Sequence, residues 1–379
     1  MERVGGDHIG RRDMLRGGSA ASVAVGLDAL FGRLKTAQAQ TAAVAAPELD
    51  SLAVRVVIDS YQIAIAPSFK REGVNVERFG WALSDSPPTK ALISEFGLSM
   101  HAESRRGDET RNVLVDFGFT ANALNNNLEL LGVDPARLDA LVLSHGHYDH
   151  FGGMAGFLRA AGSRLKPGTP FVVGGEECFC ARQWTAPPLP GNFGVIDRTA
   201  LQDARLSVVS AERPAPIADH AFTTGQVPST TFEKVLSPSK MTIGVVGGFG
   251  CYPEKLPEDE RQGGPFPDTF RHEIATVYNL KGRGLVVLTS CSHRGLINII
   301  ERAQAASGVR KVHAVMGGFH LAPFPEDYLR QVIAGLKDID PDYVVPMHCS
   351  GEPFGDLARA EMPNKFLRAY TGTRFVFTA

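Results

Sequence analysis

The chain has few cysteines. Its 379 residues include five (Cys178, Cys180, Cys251, Cys291 and Cys349), an odd and sparse set that offers no disulfide framework. It has no run of about eighteen consecutive apolar residues, so the mature form is expected to have no membrane span. It also lacks a Lys/Arg cluster. With 39 bases against 41 acids the formal charge is −2, without the electrostatic footprint of nucleic-acid binding. Internal repeats and long low-complexity tracts are absent too. What is present is a hydrophobic fraction of 44% and a charged fraction of 21%, the composition of a globular protein with a sizeable core. The length admits one large domain or two smaller ones.

The first residues read as an address. Arg11-Arg12-Asp13-Met14-Leu15-Arg16 is a twin-arginine pair followed by two apolar residues and a base. Gly17 to Leu34 is only mildly apolar and carries Asp28, and Ala37-Gln38-Ala39 then offers a small-x-small cleavage site. That order predicts a Tat export signal over residues 1–39, a linker over 40–50 and a periplasmic mature chain, cytoplasmic if the segment is instead an amphipathic tail. Removing residues 1–39 takes away six bases and four acids, so the charge becomes −4.

The chemistry is concentrated in Leu141-Val-Leu-Ser-His145-Gly-His147-Tyr-Asp149-His150-Phe-Gly152-Gly153. Leu138 to Leu143 reads as a buried strand, too short for a helix. Four metal-ligating side chains follow within six residues, and a helix is expected from Gly152 to Arg159. Imidazole and carboxylate are ligands suited to Zn²⁺ or Fe²⁺. One such histidine would be an ordinary surface or core residue; four at this spacing after a strand point to a metal.

Three later histidines share that context. Gly284 to Thr289 reads as a strand leading to Cys291-Ser292-His293, with a helix over Leu296 to Ala306. Val312 to Met316 is a second strand, running through Gly317-Gly318 to His320, and Asp342 to Pro346 is a third, ending before His348. Each strand delivers a histidine at its carboxyl end, as in sites built along one edge of a sheet. Earlier in the body, strands are expected at Leu52–Ile58, Gly97–Glu103 and Asn112–Gly118, and a helix over Asn122–Leu131. Phe69 to Lys90 reads as irregular. His101, His220, His272 and His313 have no such setting and are assigned core or surface roles. Asp116 is a candidate for orienting a ligand histidine, and Glu273 for lying near substrate. Cys291 and Cys349 sit within two residues of candidate ligands. Burial as small apolar side chains is the first reading for both, with metal contact the alternative.

The histidine loop resembles the signature of the metallo-β-lactamase superfamily. With Asp116-Phe-Gly118, Cys291-Ser-His293, Gly317-Gly-Phe-His320 and Pro346-Met-His348-Cys349, the chain is similar to the subfamily labelled 7,8-dihydropterin-6-methyl-4-(β-D-ribofuranosyl)aminobenzene-5′-phosphate synthase-like, over about Ser51 to Cys349. The resemblance implies an α/β, four-layer αββα sandwich over residues 51–379 with a metal centre at its edge. Many superfamily members also carry a histidine after a middle strand and an aspartate bridging two metals. Here Thr223-Thr-Gly-Gln and Ser290-Cys-Ser-His stand in those places.

The resulting expectation is a hydrolase with two zinc ions, iron or manganese being the alternatives. His145, His147 and His293 would hold one ion, and Asp149, His150 and His348 the other. His320 would ligate or face substrate, and Asp149 would double as proton shuttle. A bound ion lowers the pKa of water to about 7, so hydroxide is available to attack an ester, lactone or phosphoester of a small-molecule substrate. Pterin-precursor transferase chemistry and a non-catalytic metal-binding role are the alternatives. Gly247 to Pro267 is expected to overhang the site, and the oligomeric state is left open.

Overall fold

Alternation of apolar side chains builds the centre of the molecule. In the computed structural model, strand Ser51–Ile58 turns Leu52, Val54 and Val56 to one face, and a register shift after Val56 sends Val57 and Ile58 to the other. The structure describes residues 43–63, 65–80, 87–187, 190–261 and 264–379. The twin-arginine segment over 1–39 lies outside them. The described residues belong to one compact unit, Thr41–Ala379.

Ser51–Ile58 lies in a nine-stranded sheet, ordered Ser207–Ser210, Pro170–Val173, Ala140–Val142, Glu109–Val115, Ser99–Arg106, Ser51–Ile58, Arg374–Thr378, Val74–Glu77 and Phe69–Arg71. A seven-stranded sheet faces it, running Pro216–Ile217, Ala221–Thr223, Thr276–Leu280, Gly284–Thr289, Val312–Gly318 and Tyr343–Met347, with Glu48–Leu49 joined to Thr276–Leu280. Between the sheets, Leu52, Val54 and Val56 pack in one cluster with Val286, Leu288, Ala314, Met316 and Val345. Helices Ala121–Leu130 and Met154–Ala161 cover the outer face of the first sheet through Leu124, Leu128, Phe157 and Leu158. Helices Leu296–Ser307, Glu326–Ile339 and Glu352–Glu361 cover the second. The layers are thus helix, sheet, sheet, helix, as the resemblance implied.

The strands that matter for function are parallel. Glu109–Val115, Ala140–Val142 and Pro170–Val173 pair in parallel in one sheet, as do Gly284–Thr289, Val312–Gly318 and Tyr343–Met347 in the other. Their carboxyl ends therefore open onto the same edge of the sandwich.

Five expectations are corrected. Phe69 to Lys90 is not wholly irregular: Phe69–Arg71 and Val74–Glu77 form an edge hairpin, because Val74 and Val76 pair with Phe377 and Phe375. Glu48–Leu49, read as linker, is a strand end with Leu49 buried. The cysteines do form a bridge, Cys180–Cys251, which ties the segment after Gly247 to strand Ala181–Trp184. None of the described residues of Gly247–Pro267 lines the cavity described below. Finally, the helix expected over Gly152–Arg159 runs Met154–Ala161, and a separate short helix, Tyr148–Phe151, precedes the glycine pair.

Candidate metal centre

The histidine loop leaves strand Ala140–Val142 at Ser144, and the buried Asp116 carboxylate holds both. Its Oδ1 accepts the Ser144 N–H at 2.8 Å and its Oδ2 accepts the Ser144 hydroxyl at 2.7 Å. The same Oδ2 lies 2.7 Å from His150 Nδ1, which fixes the tautomer so that Nε2 carries the lone pair. Ser144 Oγ is also 2.9 Å from His145 Nδ1, so His145 too turns its Nε2 inward. Asp116 thus orients ligands from behind, as one of its sequence readings proposed.

The other ligand strands end in similar cradles. Glu273 accepts the backbone N–H of His293 at 2.9 Å and of Arg294 at 2.7 Å, and so shapes the turn that carries His293. Asp59, following the first strand, accepts the His348 N–H at 3.0 Å. His320 Nε2 lies 2.8 Å from the Leu236 carbonyl, which leaves its Nδ1 facing the site. Phe270 stacks on His293 with ring centroids 3.8 Å apart and an interplanar angle of 10°. Asp116, Phe270, Ser292, His320 and His348 all have φ between 46° and 60°. Each such residue costs about 1–3 kcal/mol, and this strain is gathered at the strand ends where the ligands sit.

The structure brings all seven predicted ligands together. The ligand atoms of His145, His147 and His293 lie within 4.8 Å of one another, as do those of Asp149, His150 and His348. His320 falls with Cys291 and His293 in a third group of that size. Within the second triad, Asp149 Oδ2 is 3.1 Å from His348 Nε2 and 3.5 Å from His150 Nε2. A carboxylate and imidazole nitrogens this close either share a proton or converge on a common cation. His145 Nε2, Asp149 Oδ1, both ring nitrogens of His293 and His320 Nδ1 are buried without a partner. A buried polar atom left so costs about 1–3 kcal/mol. The donor set, imidazole and carboxylate with thiols nearby, fits zinc or another first-row divalent ion.

Electrostatics agrees with that fit. Burial holds His145 and His293 well below the ordinary imidazole range, and neighbouring imidazoles add to the effect. Burial takes His147 down to about 3. These rings are neutral at pH 7, as ligands must be. For Asp149, burial opposes the charge, but His150 and His348 outweigh it and the carboxyl stays well below its usual range. His348 goes the other way: burial is outweighed by Cys349 and Asp149, which push it up to about 9, and a cation would displace that proton. Glu273 is raised by burial to about 7 despite its two N–H donors.

A cavity of about 320 Å³ opens over the ligands. Its lining includes His147, Asp149, Cys291, His293, His320 and His348, with the aromatic rings of Phe96, Trp184 and Phe193 beside them. None of the described lining residues is Lys or Arg.

The remaining histidines keep supporting roles. His313 bonds Asp342 at 2.7 Å, His101 lies 3.2 Å from Asn112 and His220 lies 3.0 Å from Ser104. His272 does more than fill the core. Its Nε2 accepts the Gly146 N–H at 3.1 Å beneath the metal loop and lies 3.0 Å from Arg182 Nη2. A Cβ at Gly146 would run into the Arg182 guanidinium, so only glycine fits between His145 and His147. Asp59, Phe270, the Arg182–Asp268 pair and Ser239, whose Oγ lies 3.0 Å from His147 Nε2, were missed from sequence. Asp59 had a usable signal, since it follows an apolar strand much as Asp116 does.

Comparison with known proteins agrees with this geometry. Residues 105–166 match the family model described as the metallo-beta-lactamase superfamily. The chain is 26% identical over 282 residues to 7,8-dihydropterin-6-methyl-4-(beta-D-ribofuranosyl)-aminobenzene-5'-phosphate synthase of Methanocaldococcus jannaschii, covering 74% of this chain and 89% of that one. An uncharacterized protein of the same organism is 26% identical over 291 residues, with 76% and 96% covered. Among solved structures, Tm1679, a metal-dependent hydrolase of the beta-lactamase superfamily, superposes with a TM-score of 0.60 at 22% identity, covering 85% of this chain and 98% of that one. The resemblance read from the sequence is borne out, and the last likeness speaks to fold.

Proposed function

Taking as premise the metallo-β-lactamase fold that this chain carries, we propose that it is a metal-dependent hydrolase of a neutral ester or lactone. The observation that carries the reading is the convergence of two ligand triads, with their unpartnered buried atoms, on one cavity. His145, His147 and His293 would hold one divalent ion, and Asp149, His150 and His348 a second. Ions so placed supply an activated water at neutral pH and a Lewis acid for the developing oxyanion.

The protein does the rest. Asp149 stays ionised among imidazoles, and its Oδ1 has no partner. It accepts the proton released by water and returns it to the leaving oxygen. His320, whose Nε2–H donates to the Leu236 carbonyl, presents the Nδ1 lone pair to an ion or to a substrate N–H or O–H. Phe96, Trp184 and Phe193 seat an apolar portion of the substrate and keep bulk water from it. The name of the 26%-identical relative supports a transfer reaction only weakly, and the uncharged wall favours a neutral substrate over a phosphorylated one.

Residues 1–39, read from sequence alone as an export signal, would put this reaction in the periplasm.

The test joins metal analysis of purified protein to a panel of neutral esters, lactones and phosphoesters. Two divalent ions per chain and turnover of esters or lactones are expected. Asp149→Ala should abolish turnover and lower metal content while the chain stays folded. Full activity with unchanged stoichiometry in that variant, or no ester or lactone turnover by fully loaded protein, would overturn the assignment.

A further inference from the structure

We propose that Glu233 is a positioning residue, which pins an otherwise unsupported segment so that it holds two histidines of the centre. The inference rests on the metal-centre reading above and assigns a role to a residue outside it. Thr224 to Pro238, all of them described, form neither helix nor strand between Ala221–Thr223 and Ser239–Thr242. A stretch of this length without secondary structure keeps one shape only where side chains fasten it.

The fastening is at the start of helix Leu296–Ser307. Its N-cap is Gly295, with φ 98° and no side chain, so the first N–H groups of the helix need a partner from elsewhere. Glu233 provides one from 64 residues before Ile297. Its Oε1 accepts the Ile297 N–H at 3.1 Å and its Oε2 the Asn298 N–H at 3.0 Å. A Cβ at Gly295 would run into Glu233 Oε2, so the glycine makes room for the carboxylate. Asn298 fastens the same stretch in return. Its Oδ1 accepts the Thr230 N–H at 2.9 Å, the Thr230 hydroxyl at 3.1 Å and the Thr231 N–H at 3.0 Å.

Three residues past Glu233, the Leu236 carbonyl accepts the His320 Nε2–H at 2.8 Å. Ser237 Oγ then lies 2.9 Å from Ser239 Oγ, which lies 3.0 Å from His147 Nε2. The segment thus links the start of a helix to one ring nitrogen of each of two histidines. The rival reading makes Glu233 an ordinary helix cap, whose loss lowers stability and nothing more. Its place in the chain opposes this, since the capping group comes from the very segment that ends on His320. The Glu233 carboxylate is buried and takes two N–H groups at once, a strong form of such a bond. The next hold along the segment, the Lys234 N–H on the Tyr328 hydroxyl at 3.0 Å, is exposed. Loss of Glu233 therefore frees Leu236, and His320 with it.

Hydrogen–deuterium exchange of the full chain, read on peptides over residues 234–242, tests the tether itself. Zinc affinity, with kcat and KM on an ester or lactone that the panel shows to be turned over, reads its effect on the centre. Glu233→Ala should speed exchange over 234–242 and, as losses behind a ligand do, weaken zinc binding and lower kcat, each by roughly 10-fold, with KM little changed. Glu233→Gln keeps the size and one acceptor and should fall between that variant and wild type; it carries the test if Glu233→Ala does not fold. Ala303→Gly weakens the same helix from its middle. It should lower Tm and leave exchange over 234–242, zinc affinity and kcat unchanged. Unaltered exchange there in the folded Glu233 variants would overturn the proposal, as would faster exchange with zinc affinity and kcat intact. Ala303→Gly reproducing the Glu233→Ala changes would overturn it too, because any weakening of the helix would then suffice. If no ester or lactone is turned over, the hydrolase reading falls, and exchange with zinc affinity still decides the tether. Wild type that binds no zinc would bring down the metal-centre reading, and this inference with it.

Discussion

Replacing Arg182 probes whether the ground beneath the histidine loop is held by charge. Arg182 is fully buried, and its guanidinium makes five contacts. Nε meets Asp268 at 2.5 Å, Nη1 reaches the carbonyls of Cys178 and Cys180 at 3.3 and 3.0 Å, and Nη2 reaches the Glu177 carbonyl and His272 Nε2, both at 3.0 Å. Arg182→Met removes all of them and leaves the Asp268 carboxylate buried and uncompensated. Breaking one partner of a buried pair costs about 3–5 kcal/mol, against about 0–1 for an exposed pair. The unit has about 340 residues, and unfolding entropy near 2.1 cal/mol/K per residue gives about 0.7 kcal/mol/K in all. The expected fall in Tm is then about 4–7 °C.

Scanning calorimetry of the metal-loaded protein reads that shift. Arg182→Lys keeps the charge but not the planar fork, so its loss should be intermediate. Arg182→Met should also weaken metal binding, because the Gly146 amide rests on His272 and His272 on Arg182. A Tm change below about 2 °C with unaltered metal affinity would refute the reasoning, since only a solvent-screened pair loses so little.

The same pair predicts an acid limb. Burial opposes the charge of Asp268, but Arg182 outweighs it and holds the carboxyl down to about 2. Its contribution is complete above the unfolded value of about 3.9 and is lost as pH falls through 2, so Asp268→Asn should flatten Tm against pH between them. Cys180→Ser or Cys251→Ser opens a link across 71 residues and should cost about 2–4 kcal/mol, seen as a lower Tm that reductant no longer changes. An unaltered Tm would show the bridge to be dispensable. Replacing Arg11 and Arg12 together with lysine should leave unprocessed protein in the cytoplasm; normal processing of that variant would dismiss the Tat reading.

Much of the candidate centre was legible because its candidate ligands sit where backbone geometry must place them. His145, His147, Asp149 and His150 follow one strand within six residues, and His293, His320 and His348 each follow a further strand of the opposing sheet. Parallel pairing then brings those ends to one edge. Features made by long-range pairing stayed hidden. Arg182 and Asp268 are 86 residues apart, and either alone reads as an ordinary surface charge. The cysteines of the bridge are separated by 71 residues, with nothing local to match them. The strands Phe69–Arg71 and Glu48–Leu49 are too short to show a period, and their partners elsewhere in the chain define them.

What separates the readings of function is the wall of the cavity, because the same ligands serve hydrolysis and transfer alike. Two divalent ions held as proposed would concentrate positive charge near His293 and His348. A phosphate remote from the reacting bond would have to find its counter-charge on the wall. There the chain offers Phe96, Trp184 and Phe193, with Phe96 4.7 Å from His348 and Phe193 5.1 Å from His147, ring to ring. Setting an unpaired anion against such rings costs several kcal/mol, whereas an acyl chain or lactone ring there gains about 25 cal/mol per Å² of apolar surface removed from water. The ligands therefore set the chemistry and the wall sets the charge of what can reach them, which is why a neutral ester or lactone is the substrate class proposed.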